Sequence, residues 1–296
     1  MKAEPACIPC VLHDVFYTGN LATKNVRMRM AILKEASRVV ARKASAAITP
    51  SQLNTHAYRV VKRLTGIRDP YRRIKRVSNS VALKAAERVE KELMRIMNPE
   101  ERFRRCISYA IAGNRIDYGV MGHEFKVSSH LKKSLEKAVK QGLAVDDISK
   151  IFRKVRSSKN VLYILDNSGE AVFDTLLIKE IKRYGSKVTA VVRGGPVSND
   201  LTLTEVSRIG LDRVADEIIT TGSDAYGIEF SRATKKLVRT LKTCDLTISK
   251  GQANYEDISE IEDNVSGAIV YLLNAKCEPM ARTMKVKVGG NIAKYV

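Results

Sequence analysis

The order of apolar and polar positions divides the chain near its middle. Over residues 27–43, Met30, Ile32, Leu33, Ala36, Val39 and Val40 recur at three- and four-residue spacing, which predicts an amphipathic helix. A second helix is expected up to Leu64-Thr65-Gly66, capped by Ser51 or Thr55. Asp69-Pro70-Tyr71 opens a third that runs through Met97, and Asn98-Pro99 a fourth that stops at Gly113-Asn114. Ser128 or Ser129 begins a last one, with Leu131, Leu135, Ala138 and Val139 on one face. Proline in a first turn costs little, because that N–H has no partner inside the helix. Short turns between these segments indicate one or two small helical bundles.

Beyond residue 157 the period changes. Residues 161–165, 187–192, 217–220, 246–249 and 268–273 are short apolar runs separated by helical stretches such as 171–183 and 231–241. That alternation predicts βαβ units on a parallel sheet. Residues 284–288 are expected to add an edge strand. The chain is thus expected to be α plus α/β, with a helical region over 1–157, of one or two subdomains, and an α/β domain over 158–296.

Composition adds limits. At 296 residues with 44% hydrophobic positions, the chain is long enough and apolar enough for a sizeable core. The first residues carry no apolar signal core, and no apolar run approaches the ~20 residues of a membrane span. Five cysteines are an odd count for a disulfide scaffold, so a reducing cytoplasm is the expected location and no membrane partner is expected.

Charge is the unusual feature. The net is +20, and residues 1–150 hold 30 of the 52 Lys and Arg against 14 of the 32 acids. Nucleic acid is the first partner such an excess suggests. The densest basic stretch, residues 68–76, has Tyr71 as its one aromatic, and no nucleic-acid motif accompanies it. A basic nucleic-acid-binding protein therefore stands only as an alternative.

In open α/β sheets, ligands bind beyond the carboxyl ends of the strands. The residues there are Asp166-Asn167-Ser168-Gly169-Glu170, then Arg193-Gly194-Gly195-Pro196-Val197-Ser198-Asn199-Asp200. Lys250-Gly251-Gln252-Ala253-Asn254 and Asn274-Ala275-Lys276-Cys277 follow later strands. Asp166, Asn167 and Asp200 offer hard oxygens without Cys or His, which suits Mg²⁺ or Mn²⁺ better than zinc. Lys250 supplies a point charge for a phosphate, and the helix after Ser168-Gly169 offers amides that cradle an anion. Together these features match metal-assisted phosphoryl chemistry. Taken singly, each has a plainer reading as an N-cap, a turn or a solvated lysine. A glycine-rich cofactor loop is missing after the first strand, and Ser168 stands where a haloacid-dehalogenase-type phosphatase has its second Asp.

These motifs resemble the damage-control phosphatase family, ARMT-like, whose older label is domain of unknown function number eighty-nine. Gly113-Asn114-Arg115-Ile116-Asp117 looks like its Gly-Asn-x-x-Asp element, and Cys7-Ile8-Pro9-Cys10 like its Cys-x-x-Cys subfamily of archaeal and bacterial type. The resemblance implies a Rossmann-like C-terminal domain and metal-dependent hydrolysis of phosphate monoesters of small metabolites, sugar phosphates or damaged phosphorylated cofactors. It implies Asp166, Asn167 and Asp200 as ligands of Mn²⁺, Mg²⁺, Co²⁺ or Ni²⁺, and Lys250 on the phosphate. Asn114 and Asp117 are expected to reach the substrate from the helical part, with Ser168, Glu170 and Asn254 as further substrate contacts. Because some relatives have been described as carboxyl methyltransferases, an S-adenosylmethionine-dependent carboxyl methyltransferase is the other alternative. Cys7-x-x-Cys10-x-x-His13 is open between a metal site, joined by His123 or His130, a redox pair with a lowered thiol pKa, and simple packing.

Overall fold

The computed structural model of the chain describes residues 1–113, 135, 137 and 139–296. Its first three helices, α1 (Cys7–Ala22), α2 (Val26–Lys43) and α3 (Pro50–Thr65), enclose a small core of Val11, Val15, Ile32, Ala36, Val40, Leu53, Ala57 and Val61. Asn25 caps α2 by accepting from the Met28 amide. The cap of α3 is Thr49, not Ser51 or Thr55. Thr49 and Gln52 form a capping box with Pro50 in the first turn, and this places Ser51 and Thr55 inside the helix. Thr55 instead returns its hydroxyl to the Ser51 carbonyl at 2.7 Å.

The next two helices behave differently. Helix α4 (Arg72–Met94) begins just after Tyr71 and ends short of Met97, and α5 (Pro99–Gly113) follows. Their apolar faces, including Ala82, Val89, Phe103, Ile107 and Ile111, share one core with Val161, Tyr163, Ala190, Ile248 and Val270 of the sheet. These two helices therefore cover a face of the sheet. The opposite face buries Leu162, Ile164, Leu237, Tyr271 and Met280.

The sheet holds β1 (Val145–Asp146), β2 (Asn160–Ile164), β3 (Lys187–Val192), β4 (Glu217–Thr220), β5 (Leu246–Lys250), β6 (Ala268–Asn274) and β7 (Asn291–Tyr295). The strand order is β1-β7-β6-β5-β2-β3-β4. Every neighbouring pair is parallel except β6 and β7. Helices α6 (Ile148–Ser157), α7 (Glu170–Lys182), α8 (Leu203–Ile209), α9 (Lys235–Leu241), α10 (Gln252–Ile258) and α11 (Glu278–Met284) connect the strands.

Two expectations are corrected here. Residues 284–288 form no strand, because Met284 ends α11, whose Met280, Ala281 and Met284 are buried, and Lys285 closes that helix in the left-handed conformation. The last strand lies further on, where Ile292 and Ala293 enter the core, and it runs antiparallel to β6. The sheet is accordingly mixed.

From β2 the chain steps one way to β3 and β4, then crosses back to β5 on the other side of β2. The strand order reverses between β2 and β5, and a crevice opens at the carboxyl ends of such a pair. Ion pairs tie the three-helix unit to the loops nearby. Arg59 bonds Asp224 and Glu229 at 2.9 and 2.7 Å, and Lys62 bonds Asp224 at 2.6 Å and the Pro196 carbonyl at 3.0 Å.

Candidate functional site

The two acidic loops are joined through their backbones. Leu201 donates its amide to the Asp166 carbonyl at 2.9 Å, Ser168 to the Asn199 carbonyl at 2.8 Å, and Asn167 and Asp200 form an isolated β-bridge. Residues 34 positions apart in sequence thus stand side by side, and Asp166 and Asp200 are both buried. The opposite wall of the crevice is Gly251, at φ +80°, on which the Asp166 carboxylate rests. A β-carbon at 251 would lie 2.0 Å from Asp166 Oδ2, so glycine is required by contact as well as by backbone conformation.

Arg193 is the centre of the arrangement. Its side chain is 1% exposed. It donates from Nε to Asp200 Oδ2 at 2.6 Å and from Nη1 to the Gly227 carbonyl and Asn254 Oδ1 at 2.6 and 2.7 Å. Its Nη2 reaches Asp166 Oδ1 at 3.4 Å. One guanidinium therefore serves two carboxylates. Burial, then the charges of Asp200 and Glu170, push the Asp166 carboxyl well above its usual range, although Arg193 and Lys276 act against them. Burial raises Asp200 too, with Arg193 opposing. Among the described residues, Arg193 is the cation paired with both carboxylates.

That donor set fits a hard divalent cation. Asp166, Asn167 and Asp200 present oxygens only, and the Ser168 hydroxyl beside them is buried without a hydrogen-bond partner. Asn167 donates its amide to Asp166 Oδ2 at 2.9 Å and leans toward Glu170 at 3.4 Å, so its own carbonyl oxygen faces no protein donor in those contacts. Among the described residues no three His, Cys, Asp or Glu side chains form a metal-holding group. A site here therefore draws on the Asn167 amide oxygen beside the two carboxylates.

Lys250, expected to hold the phosphate, is paired inside the protein with Glu170 and Asp174. It is fully buried and donates to the Ala110 carbonyl at 3.0 Å, to Asp174 at 2.8 Å and to Glu170. Burial lowers the lysine pKa, but Asp174 and Glu170 outweigh it and hold the ammonium charged. Asp174, which also accepts from the Tyr163 hydroxyl at 2.6 Å, is pushed up to about 6 by burial, with Lys250 opposing. Asn254 is buried as well, and its amide donates to the carbonyls of Leu165 and Lys250. It links β2, β5 and Arg193.

The expected anion cradle at the start of α7 is largely closed. The Ser168 amide goes to Asn199, the Gly169 amide to Asn79 Oδ1 at 2.6 Å, and the Ala171 amide to the Asn167 carbonyl. Asn114, Asp117, His123 and His130 lie outside the described residues.

Cys7 starts α1 and is buried, while Cys10 and His13 are exposed. All five cysteines are free thiols. Burial, with smaller contributions from Cys277, raises the pKa of Cys7 and Cys10, the reverse of what a redox pair needs.

Sequence reasoning assigned no role to Arg193 or Asn79. Arg193 carried a usable signal, since a cation placed directly after the apolar run of β3 must be paired or solvated. Asn79 carried none, because its partner is 90 positions away.

Fold and crevice together define an α/β protein with a helical cover and an oxygen-lined acidic site at the sheet's switch point. The chain belongs to the damage-control phosphatase ARMT1-like domain family, whose model matches residues 3–292. It is 37% identical to a damage-control phosphatase of Archaeoglobus fulgidus over 296 residues, the full length of both chains. The crystal structure of a DUF89 family protein from Pyrococcus horikoshii superposes with a TM-score of 0.87 at 29% identity, covering 99% of this chain and 98% of that one. A mouse 4'-phosphopantetheine phosphatase shares 30% identity over 166 residues, 52% of this chain and 20% of that protein.

Proposed function

We propose that this chain is a metal-dependent phosphatase that hydrolyses phosphate monoesters of small, including damaged, metabolites. The observation that carries the reading is the buried pair Asp166 and Asp200, sharing one guanidinium beside Asn167 at the strand-order reversal. The names of the relatives support it, since one is called a damage-control phosphatase and another a 4'-phosphopantetheine phosphatase. Asp166, Asn167 and Asp200 would hold the ion, Mn²⁺, Mg²⁺, Co²⁺ or Ni²⁺, which when bound supplies a Lewis acid for the phosphoryl oxygen and lowers the pKa of water.

The chain's own residues do the remaining work. Arg193 fixes the carboxylate of Asp200 and, through Asn254, the start of α10. Gly251 leaves room for Asp166 at the crevice wall. Burial of both carboxylates keeps bulk water from solvating them, which strengthens their hold on a cation.

The test is a panel of phosphorylated metabolites assayed with the metal-free protein and each ion in turn. Turnover is expected only with a divalent ion, and Asp166→Ala and Asp200→Ala are expected to abolish it. Full activity in either variant, or activity in chelator, would reject this site. No helix among the described residues is long and apolar enough to cross a membrane, so water-borne esters are the substrates to include first.

A further inference from the structure

One face of α4 reaches both acidic loops. Lys75 and Asn79 stand about one helical turn apart on it, and both are fully buried. Asn79 Oδ1 accepts the amide of Gly169, 90 positions further along the chain, at 2.6 Å. Ser78 lies against the same glycine, where an added β-carbon would come within 3.1 Å of the Ser78 Cβ. Lys75 pairs with Asp69 at 2.7 Å and with Glu205 at 3.5 Å. Glu205 is the capping carboxylate of α8 and accepts the amide of Thr202, just beyond Asp200, at 3.0 Å.

The Asn79 side chain is only half used. Its Nδ2 is buried without a hydrogen-bond partner, an arrangement that costs folding free energy. An aliphatic residue would avoid that cost but would leave the Gly169 N–H without its acceptor. An aspartate would accept as well, but would set one more carboxylate against a loop that already carries Asp166 and Glu170. Asparagine takes the N–H without adding charge. Gly169 turns at φ +83°, a conformation that glycine can leave at little cost, and the Asn79 contact holds it there.

We propose that Asn79 is a positioning residue of the site. By accepting the Gly169 amide it fixes the turn that brings Asp166 and Asn167 beside Asp200, while Lys75, one turn earlier, steadies the second loop through Glu205. The helical half thereby sets the geometry of a cation site to which it contributes no ligand of its own from α4. The inference rests on the metal-dependent phosphatase reading above and deepens it.

The experiment compares wild type with Asn79→Ala, Asn79→Asp and Val89→Ala, the last a core change further along α4 that touches neither loop. Hydrogen exchange of the Gly169 amide is followed without metal, and Mn²⁺ binding by electron paramagnetic resonance. Turnover of para-nitrophenyl phosphate and the melting temperature are measured in parallel. Asn79→Ala is expected to speed Gly169 exchange and to weaken Mn²⁺ binding by about 10-fold, the worth of one hydrogen bond. At saturating Mn²⁺ its kcat should fall while KM stays near the wild-type value. Asn79→Asp keeps the acceptor and should recover most of the exchange protection and Mn²⁺ affinity, and it decides the case if Asn79→Ala does not fold. Val89→Ala should melt earlier and leave Gly169 exchange and Mn²⁺ affinity unchanged. Wild-type Mn²⁺ affinity in Asn79→Ala overturns the proposal, as does an equal loss in Val89→Ala or in Asn79→Asp, or wild type that binds no Mn²⁺. Failure of the phosphatase reading is separate: wild type that binds Mn²⁺ but turns over no ester with any ion rejects the reading, while exchange and Mn²⁺ binding still decide Asn79.

Discussion

Arg193 and Asp200 meet at 2.6 Å inside the protein, each less than one-tenth exposed, and the same guanidinium extends to Asp166 at 3.4 Å. The contact joins the end of β3 to the loop that follows it and sets the spacing of the two carboxylates. Among the described residues Arg193 is the cation that pairs with both of them.

Replacing that cation has a defined cost. Arg193→Met should destabilise the protein without added metal by about 3–5 kcal/mol, because the buried Asp200 carboxylate loses its cation and Asp166 loses one of its partners. Arg193→Lys should cost less, since it keeps the charge but cannot reach Asp200, Gly227 and Asn254 together. Urea denaturation measures both. Added Mn²⁺ should return part of the loss in Arg193→Met by binding the folded state alone. No return would argue against a cation site between these carboxylates.

Gly251→Ala tests the wall of the crevice. A β-carbon 2.0 Å from Asp166 Oδ2 must displace the carboxylate, and φ +80° adds strain. Together they should cost about 1–3 kcal/mol and weaken Mn²⁺ binding at least as much as turnover. The control is Gly66→Ala, also at positive φ (+71°) but with open space around it. It should lose about 1 kcal/mol from strain alone and keep full Mn²⁺ affinity. Equal effects of the two substitutions would mean that the contact with Asp166 is unimportant.

Lys250→Met should be chiefly a stability mutation. It strands Glu170 and Asp174 in the interior and should cost about 3–5 kcal/mol. Asp174 already has its pKa raised to about 6, so its protonated form is favoured by folding. With the ammonium gone, the folded state should hold that proton still more tightly, and stability should fall as pH rises from 5 to 8. Thermal melts across that range check the direction. A variant with wild-type stability and only a raised KM would instead support the phosphate-binding role expected of Lys250.

Asp224 governs part of the acid limit. Burial works against its charged form, but hydrogen bonds and charge from Lys62 and Arg59 outweigh it and hold the carboxyl below its usual 3.8. A depressed carboxyl adds stability that is complete above the unfolded-state value and disappears as pH falls through the folded one. Asp224→Asn should therefore be less stable than wild type at pH 7. Below about pH 4 the two curves should converge. Parallel curves down to pH 2 would show that the Lys62 and Arg59 pairs do not couple the three-helix unit to the strand-end loop.

Much of the architecture was legible in the residue pattern. Residues 187–192 and 217–220 are strands as their apolar runs predict, and helix α7 departs by one residue at each end from the expected 171–183. Where the local reading failed, a neighbour in sequence decided. Lys285 closed α11 in the left-handed conformation where an edge strand was expected, and Thr49 took the cap of α3 because the proline after it fits a first turn. Asp166, Asn167 and Asp200 could be named because acidic and amide residues just after buried strands are conspicuous, and they do come together. Lys250 could be named as a cation at a strand end, but nothing in its surroundings along the chain shows that Glu170 and Asp174 occupy it.

The sequence by itself determined the succession of helices and strands, the family, and the loops on which charged groups gather, because periodicity and turn chemistry are local properties of the chain. Only the tertiary structure decided which charges neutralise one another. Arg193 with Asp166 and Asp200, Lys250 with Glu170 and Asp174, and Lys276 left facing solvent are outcomes of desolvation. A buried charge must find a partner wherever the fold brings one within about 3 Å, and that distance is unrelated to separation along the chain.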